Sequence, residues 1–258
     1  MFAKERRDEI CLMLKKDHAV TASKLVERFG VSIETIRKDL LMLEQAGRLV
    51  RVHGGAVAQN DMTPFFELKQ RNQMCVEEKR ALSLKATEFI CEGDVIAVDT
   101  GSTAILFAEA LKQRFRRLTV VTWSRDVVDI LCDHEDFELI LCGGYYMRKE
   151  NAFCGAFALD MLRNLYVQKT FLFPTAVSVE FGICGYESDL HQLQKQLLIS
   201  SDEIYILADS SKFEKRALFK LSDINDRYYY VTDSLLSAEM ENLYKENHLK
   251  IFKGENKK

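Results

Sequence analysis

The sequence lacks a long apolar run. No stretch of its 258 residues approaches the roughly 20 consecutive apolar residues that are needed to cross a bilayer. The first ten residues, MFAKERRDEI, carry charges where a secretory signal peptide has a hydrophobic segment. We therefore expect a soluble protein of the cytoplasm with no membrane partner.

Paired cysteines are missing as well. The seven cysteines are scattered along the chain without any C-x-x-C pair, at positions 11, 75, 91, 132, 142, 154 and 184. An odd number at such spacing matches neither a zinc site nor a disulfide framework. We expect these side chains to be small buried hydrophobes, with no metal bound.

Charge is unevenly distributed along the chain. The net charge of -3 divides into +3 over residues 1–58, with 11 Lys and Arg against 8 Asp and Glu, and -6 over the remainder. With 47% hydrophobic residues, the chain can bury the cores of one small and one larger domain. A basic N-terminal segment followed by an acidic remainder is the charge distribution expected of a nucleic-acid-binding protein, although so small a difference in charge does not establish one.

Two helices joined by a glycine turn are predicted within residues 21–43. The first has Thr21 as its N-cap and ends at Gly30, a position where helices favour a residue in the left-handed backbone conformation. The second follows Ser32, another good N-cap, and its apolar face is predicted to hold Ile33, Ile36, Leu40 and Leu43. This is the helix-turn-helix pattern, although periodicity alone also fits two amphipathic helices of an ordinary core.

A hairpin is predicted directly after these helices. Gly47 closes the second helix, and in LVRVHGGAVA two short β-prone runs flank Gly54-Gly55, a pair that tolerates a tight turn. The hairpin would form the wing of a winged helix-turn-helix domain. On this interpretation DNA is contacted by the N-terminal half of the second helix and by the wing, through Ser32, Glu34, Thr35, Arg37, Lys38, Arg51, His53 and Gly54.

The remainder of the chain predicts a Rossmann-like α/β domain. From Asp94 onward short β-branched runs alternate with amphipathic helices, which is the pattern of a parallel sheet covered on both faces. A polar stretch with Pro64, one of only two prolines, marks a linker, and a continuous helical pattern over residues 66–91 is expected to join the domains. We divide the chain into a DNA-binding domain (1–58), a linker (59–74) and an α/β effector-binding and oligomerisation domain (75–258).

One loop of the α/β domain has the composition of an anion site. Asp99 to Thr103 follows a buried strand, Gly101 allows close backbone approach, and Ser102 and Thr103 open a helix whose amides can donate. The loop is neither G-x-G-x-x-G nor a Walker loop, so no nicotinamide or ATP cofactor is expected. A phosphate site and a plain N-capped turn fit these residues equally well.

Residues on the predicted helices and wing stand almost position for position as in a known family: Arg7, Ile10, Leu14, Leu25, Phe29, Val31, Ser32, Thr35, Ile36, Arg37, Asp39, Leu40, Arg51, His53, Gly54 and Gly55. They resemble the N-terminal domain of the DeoR family of bacterial transcriptional regulators. Lys38 stands where the family more often has Arg, which keeps the charge but loses the bidentate fork that recognises guanine.

The resemblance continues, more loosely, through the α/β domain. It implies a fold like that of sugar-phosphate isomerases such as ribose 5-phosphate isomerase, and a phosphorylated sugar or polyol as effector. The effector residues implied by the loops and the resemblance are Asp99, Gly101, Ser102, Thr103, Thr122, Arg148, Asp209 and Lys212. Trp123 replaces the family's usual Asn, and Pro174 lies in a stretch that is usually richer in glycine, so the pocket is expected to be narrower.

Two hypotheses about function follow. The first is a repressor of carbohydrate genes that binds double-stranded operator DNA as a homo-oligomer, a dimer or tetramer, because one winged head contacts too few base pairs for specificity. The second is an isomerase with an accessory DNA-binding head. Isomerisation needs a positioned base, and the loops offer Asp99, Asp209 and Lys212 without a Glu or His partner, which favours the regulator.

Overall fold

The computed structural model describes residues 3–17, 19–52, 55–58 and 66–256. Its contacts divide the chain into two compact units, Met1–Asp61 and Met62–Lys258. Two of the predicted DNA-contact residues, His53 and Gly54, lie outside the described residues, as does Pro64. None of the described helices is both long enough and apolar enough to cross a bilayer.

The first unit is a three-helix domain with a small sheet. Its elements are, in chain order, α1 (Ala3–Asp17), β1 (Ala19–Thr21), α2 (Ala22–Phe29), α3 (Ile33–Gln45), β2 (Leu49–Val52) and β3 (Gly55–Ala58). The strands form an antiparallel sheet in the order β1-β3-β2. The predicted hairpin is therefore present as β2 and β3, with a third strand added.

The predicted helix caps are present. The Thr21 hydroxyl accepts a hydrogen bond from the Lys24 amide at 3.3 Å, and the Ser32 hydroxyl accepts one from the Thr35 amide at 3.2 Å. Gly30 has a φ of 62°, in the left-handed region that glycine tolerates best. Gly55 has a different role from the predicted turn residue: it begins β3, where an added Cβ would lie 2.1 Å from the Val20 carbonyl oxygen.

The core of the first unit matches the predicted apolar faces with one exception. Ile10, Leu14, Leu25, Ile36, Leu40 and Leu43 are buried together. Ile33, assigned to the buried face of α3, is 39% exposed because it is the first residue of the helix, before the helix packs on the core.

The second unit is built on a parallel sheet. The elements of this unit are, in chain order, α4 (Leu68–Arg71), α5 (Val76–Ala86), β4 (Val95–Val98), α6 (Ser102–Arg114), β5 (Leu118–Thr122), α7 (Arg125–Leu131), β6 (Phe137–Leu141), β7 (Tyr145–Met147), β8 (Ala152–Cys154), α8 (Ala156–Arg163), β9 (Val167–Leu172), β10 (Ala176–Ser178), β11 (Gly182–Gly185), α9 (Ser188–Ser200), β12 (Ser201–Leu207), β13 (Phe219–Ser222), β14 (Tyr229–Asp233), α10 (Ala238–Glu246) and β15 (Lys250–Gly254). Seven of these strands form the parallel sheet, in the order β15-β14-β12-β9-β4-β5-β6.

Both faces of this sheet are covered, as the alternation predicted. On β4, Ile96 and Val98 belong to one apolar cluster with Phe107 of α6, whereas Ala97 belongs to a second cluster with Leu193 of α9. Successive strand residues point to opposite faces, so the sheet separates two cores. The fold is the expected Rossmann-like α/β arrangement.

The predicted continuous helix over residues 66–91 is interrupted. α4 ends at Arg71, and α5 begins at Val76 after Cys75, which has a φ of 49°. Both helices lie within the second unit. The antiparallel sheet β10-β11-β13 and the hairpin β7-β8 were not predicted either, and their strands are only three or four residues long.

Candidate functional site

The outward side of α3 carries the predicted base-contacting residues. Ser32, Glu34, Arg37 and Lys38 are exposed and Thr35 is half-buried. The intervening residues Ile36, Asp39 and Leu40 are buried. The structure thus brings the five predicted α3 residues together on one polar surface of the first unit.

Hydrogen bonds order this polar surface. The Ser32 and Thr35 hydroxyls lie 2.9 Å apart, and Arg37 Nη1 lies 2.6 Å from Glu34 Oε1. Glu34 therefore holds the Arg37 guanidinium beside the helix N-terminus. An exposed pair of this kind is weak and readily exchanged for a phosphate.

Arg51 in the wing is also engaged by a carboxylate. Its Nε donates to Glu44 Oε2 at 2.7 Å and its amide donates to Glu44 Oε1 at 3.0 Å. These hydrogen bonds from Arg51 lower the pKa of Glu44. The contact fixes β2 against the C-terminal end of α3 and leaves Arg51 exposed at the surface.

A buried ion pair supports α3 from behind. Arg6 Nε lies 2.6 Å from Asp39 Oδ2, and both residues are buried. Arg7 Nη1 lies 4.0 Å from the other Asp39 oxygen. Charged residues are rarely buried unless they are paired, and the hydrophobic pattern of α3 gave no signal that Asp39 has a partner on α1.

A cleft of about 240 Å³ in the second unit lies at the carboxyl ends of the central strands. From β4 the chain continues outward to β5 and β6, whereas β9 lies on the other side of β4 and leads to β12. The connections therefore diverge between β4 and β9, which is where open parallel sheets bind ligands. The residues that line the cleft are Phe66, Arg71, Met74, Cys75, Lys79, Thr100, Ser102, Glu150, Phe173, Pro174, Thr175, Gly185, Tyr186, Glu187, Leu190, Gln194, Asp209, Ser211, Lys212 and Lys215.

Three of the predicted effector residues line this cleft: Ser102, Asp209 and Lys212. Lys212 Nζ donates to the Pro174 carbonyl at 2.9 Å and lies 3.9 Å from Asp209 Oδ2. Asp209 is buried, and its carboxylate accepts from the Ser211 amide and hydroxyl. The structure therefore joins the loops after β9 and β12 around one ammonium group.

Asp99 lies beneath the cleft and is fully buried. Its carboxylate accepts from the Thr100 amide at 2.7 Å, the Gln194 side chain at 2.8 Å and the Phe173 amide at 3.2 Å. Burial raises the pKa of Asp99 to about 7, although these donors oppose the rise. Asp99 connects the loops after β4 and β9 to α9, and its position suits support of the cleft rather than contact with a sugar hydroxyl.

The other four predicted effector residues do not line the cleft. Gly101, with a φ of 125°, precedes α6, and Thr103 is the second residue of that helix, where its Oγ1 is buried without a hydrogen-bond partner among the described residues. The Thr122 hydroxyl donates to the Val98 carbonyl at 2.7 Å, which occupies it within the sheet. Arg148 lies at a separate shallow depression with Glu67.

The cleft also contains three charged residues that were not predicted to bind the effector: Arg71, Lys79 and Glu150. Arg71 Nη2 lies 2.6 and 2.5 Å from the two oxygens of Glu150. Lys79 Nζ donates to the carbonyls of Arg71 and Met74, each at 2.6 Å. The positions of Arg71 and Lys79 depend on the break between α4 and α5, which no local signal predicted.

More cations than carboxylates line the cleft. Burial, with Lys212 nearby, lowers the pKa of Lys79 to about 8, and burial also lowers the pKa of Lys212. An anion beside either ammonium group would offset this loss of solvation. Among the described residues, no group of three His, Cys, Asp or Glu side chains could hold a metal ion.

Comparison with known proteins gives consistent matches to both units. Residues 6–61 match the family model described as the DeoR-like helix-turn-helix domain, and residues 74–234 match the DeoR C terminal sensor domain. The putative aga operon transcriptional repressor of Escherichia coli O157:H7 is 30% identical over 97% of this chain and 94% of that protein. The lactose phosphotransferase system repressor of Lactococcus lactis is 31% identical over 93% of this chain and 94% of that protein.

Among solved structures, ribose 5-phosphate isomerase A of Methanocaldococcus jannaschii superposes with a TM-score of 0.41 at 21% sequence identity. The match covers 54% of this chain and 55% of that one.

Proposed function

Since the chain belongs to the DeoR family of transcriptional regulators, we propose that it is a sequence-specific DNA-binding repressor of genes for carbohydrate use. The observation that carries this proposal is the polar outer face of α3, which is backed by a buried apolar face and capped by Ser32. The relatives named as repressors of the aga operon and of a lactose phosphotransferase system support the carbohydrate link.

We assign base and phosphate contacts in a major groove to Ser32, Thr35, Arg37 and Lys38. A helix that enters the groove presents its N-terminal residues to base edges, and these four residues share that part of α3. Arg51 of the wing is assigned to the DNA backbone, with His53 and Gly54 beside it in sequence. Glu34 is assigned the role of holding Arg37 until DNA binds.

This assignment predicts that Thr35→Ala and Lys38→Ala each weaken binding to the specific site by about 1–3 kcal/mol. The site would be selected from a random duplex library with the wild-type protein, and affinities measured by fluorescence anisotropy at fixed salt. Lys220→Ala is the matched control, because it removes one exposed cation from the second unit. Unchanged affinity and base preference in both α3 variants would show that another surface contacts the bases.

The cleft of the second unit is proposed to bind a phosphorylated sugar or polyol. Arg71, Lys79 and Lys212 supply positive charge, and Ser102 opens α6 with its amides beside the cleft. A local set of donors is needed because the remainder of the chain beyond residue 58 carries a net charge of -6.

Binding without turnover is favoured over isomerisation. Proton transfer at a sugar carbon needs a carboxylate or histidine that can reach the substrate. In the cleft, Glu150 and Asp209 are buried, Glu187 is paired with Lys149, and Asp99 lies beneath the lining. We therefore propose that a ligand held here changes DNA affinity by stabilising one conformation of the protein over another.

A homo-oligomer, dimer or tetramer, is proposed because one winged head contacts too few base pairs for regulatory specificity. Exposed large apolar side chains in the second unit support self-association there; they include Tyr145, Phe157, Tyr166 and Ile199. Sedimentation of the full chain at operator-saturating concentration should give a mass of two or four chains. A single-chain mass under those conditions would contradict the proposal.

A further inference from the structure

The guanidinium of Arg71 lies between a candidate anion loop and a buried carboxylate. Its Nη1 is 3.6 Å from the position that a Cβ on Gly101 would take, and its Nη2 contacts both oxygens of Glu150. Its Nε donates to the Phe66 carbonyl at 3.0 Å. The Arg71 side chain is 27% exposed and that of Glu150 is 5% exposed, so solvent reaches the cation more easily than the anion.

Glu150 is positioned beside the same loop. Its backbone carbonyl accepts a hydrogen bond from the Thr100 hydroxyl at 3.3 Å, one residue before Gly101. Burial raises the pKa of Glu150, while Arg71 opposes the rise. If Arg71 moves away, the Glu150 carboxylate becomes a poorly solvated anion, which costs free energy. The group that replaces Glu150 on the guanidinium must offset this cost.

A phosphoryl group has the charge and shape to make that replacement. Arginine binds carboxylate and phosphate through the same fork of N–H donors, and a phosphate monoester carries nearly two charges against one for a carboxylate. Two residues after Gly101, Thr103 Oγ1 at the start of α6 is 1% exposed and has no hydrogen-bond partner within the part of the chain that the structure describes.

We propose that Glu150 is an internal competitor for the effector's phosphoryl group, and that effector binding transfers the Arg71 guanidinium from Glu150 to that phosphoryl group. This inference rests on the proposed effector site and deepens it. Because a neutral sugar has no anion to offer Arg71, it leaves the Arg71–Glu150 pair intact. The competition thus discriminates phosphorylated ligands from their unphosphorylated parents.

The transfer also acts on the backbone of the second unit near its N-terminal end. Arg71 is bonded through Nε to Phe66 and through its carbonyl oxygen to Lys79. Reorienting the guanidinium changes the first of these hydrogen bonds directly. Phe66 lies five residues after Asp61, the last residue of the first unit, so the exchange takes place in the segment that follows the DNA-binding unit along the chain.

The test is calorimetric titration of the full-length protein with inorganic phosphate and with a sugar phosphate, glucose 6-phosphate, beside glucose. Glu150→Gln removes the competing charge and should bind phosphate about tenfold more tightly than wild type. Arg71→Gln should bind phosphate more weakly than wild type does. The Arg71→Gln, Glu150→Gln double variant should bind phosphate no more tightly than Arg71→Gln alone. Asp129→Asn, which makes the same charge change at an exposed pair with Arg125, is the control and should match wild type.

A second measurement on the wild-type protein removes any dependence on the folding of variants. The Nε–Hε resonance of Arg71, assigned by its loss in Arg71→Lys, should shift as phosphate is added. Phosphate affinity that is equal in wild type and Glu150→Gln, or an unshifted Arg71 resonance at saturation, overturns the competition and leaves the effector site itself standing. Failure of all variants to bind either phosphate compound would overturn the effector site of the proposed function and the competition together.

Discussion

Replacing Asp39 with asparagine is expected to destabilise the first unit by about 3–5 kcal/mol, because the change leaves Arg6 buried without a counter-charge. Arg6 and Asp39 are both buried and lie 2.6 Å apart, and the substituted amide would offer Arg6 only a neutral oxygen. A unit of about 60 residues has only roughly 3–9 kcal/mol of stability in total. The variant should therefore lose most of its folded first unit, and specific DNA binding with it.

The two units can be followed separately in this experiment. The single tryptophan, Trp123, and all nine tyrosines lie beyond residue 61, so aromatic fluorescence reports on the second unit. In urea, helical circular dichroism should show an early transition in Asp39→Asn while Trp123 fluorescence keeps its wild-type midpoint.

Glu34→Gln is the matched control, since it removes one negative charge from α3 at an exposed pair with Arg37. Exposed pairs contribute at most about 1 kcal/mol. A denaturation curve for Asp39→Asn that overlays the curve of this control would show that the Arg6–Asp39 pair does not hold α1 against α3.

Local signals predicted the first unit well because its elements are short and close in sequence. The caps at Thr21 and Ser32 and the left-handed Gly30 each require only neighbouring residues to form. Ile33 was placed wrongly on the buried face because spacing fixes an angle around the helix and does not say where the packed region begins. The burial of Asp39 depends on Arg6, which is 33 residues away.

In the second unit too, the sequence predicted the helices and strands better than the contacts between residues far apart in the chain. Alternating strands and helices predicted the parallel sheet, because each strand is a short apolar run that any such sheet requires. The break at Cys75 was missed because residues 66–91 contain neither glycine nor proline, the usual signs of an interruption. Without that break, Arg71 could not be placed beside Glu150, which is 79 residues away in sequence.

The candidate effector residues divide along the same lines. Ser102 was predicted from its own loop, and Asp209 and Lys212 from a family resemblance, and all three line the cleft. Thr122 and Arg148 had the right residue types at the ends of strands, but the side chain of one is engaged within the sheet and the other faces a separate depression. Spacing identifies which loops lie at the carboxyl edge of the sheet; the direction of each side chain depends on tertiary contacts.

Removing the charge of Lys212 is expected to weaken strongly the preference of the protein for phosphorylated ligands. The Lys212 side chain is 19% exposed and faces the cleft beside Asp209. Burial lowers the pKa of Lys212, and the nearby Asp209 opposes this shift. A phosphoryl group would add a second anion to a partly desolvated cation, where charge-assisted hydrogen bonds are worth about 1.5–3 kcal/mol.

Lys212→Ala and Lys212→Gln separate the charge from the contact. Lys212 contacts the Pro174 carbonyl at 2.9 Å. Glutamine keeps an N–H donor on a side chain one bond shorter, whereas alanine loses both the donor and the charge. Both variants should bind a sugar phosphate about 10–150-fold more weakly than wild type and should bind the unphosphorylated parent sugar as wild type does. Lys220→Ala, which removes an exposed cation outside the cleft lining, should bind both ligands normally.

The same preparations should then be titrated with operator DNA in the presence and absence of the sugar phosphate that binds wild type most tightly in a pentose and hexose phosphate panel. Both Lys212 variants should bind DNA with wild-type affinity when no ligand is present, because Lys212 belongs to the second unit, and they should respond to the ligand only at correspondingly higher concentrations. This follows because a ligand shifts DNA affinity only through its differential binding to two conformations. If either variant binds the sugar phosphate with wild-type affinity, or if wild type binds a sugar and its phosphate equally, the phosphoryl group does not bind at Lys212.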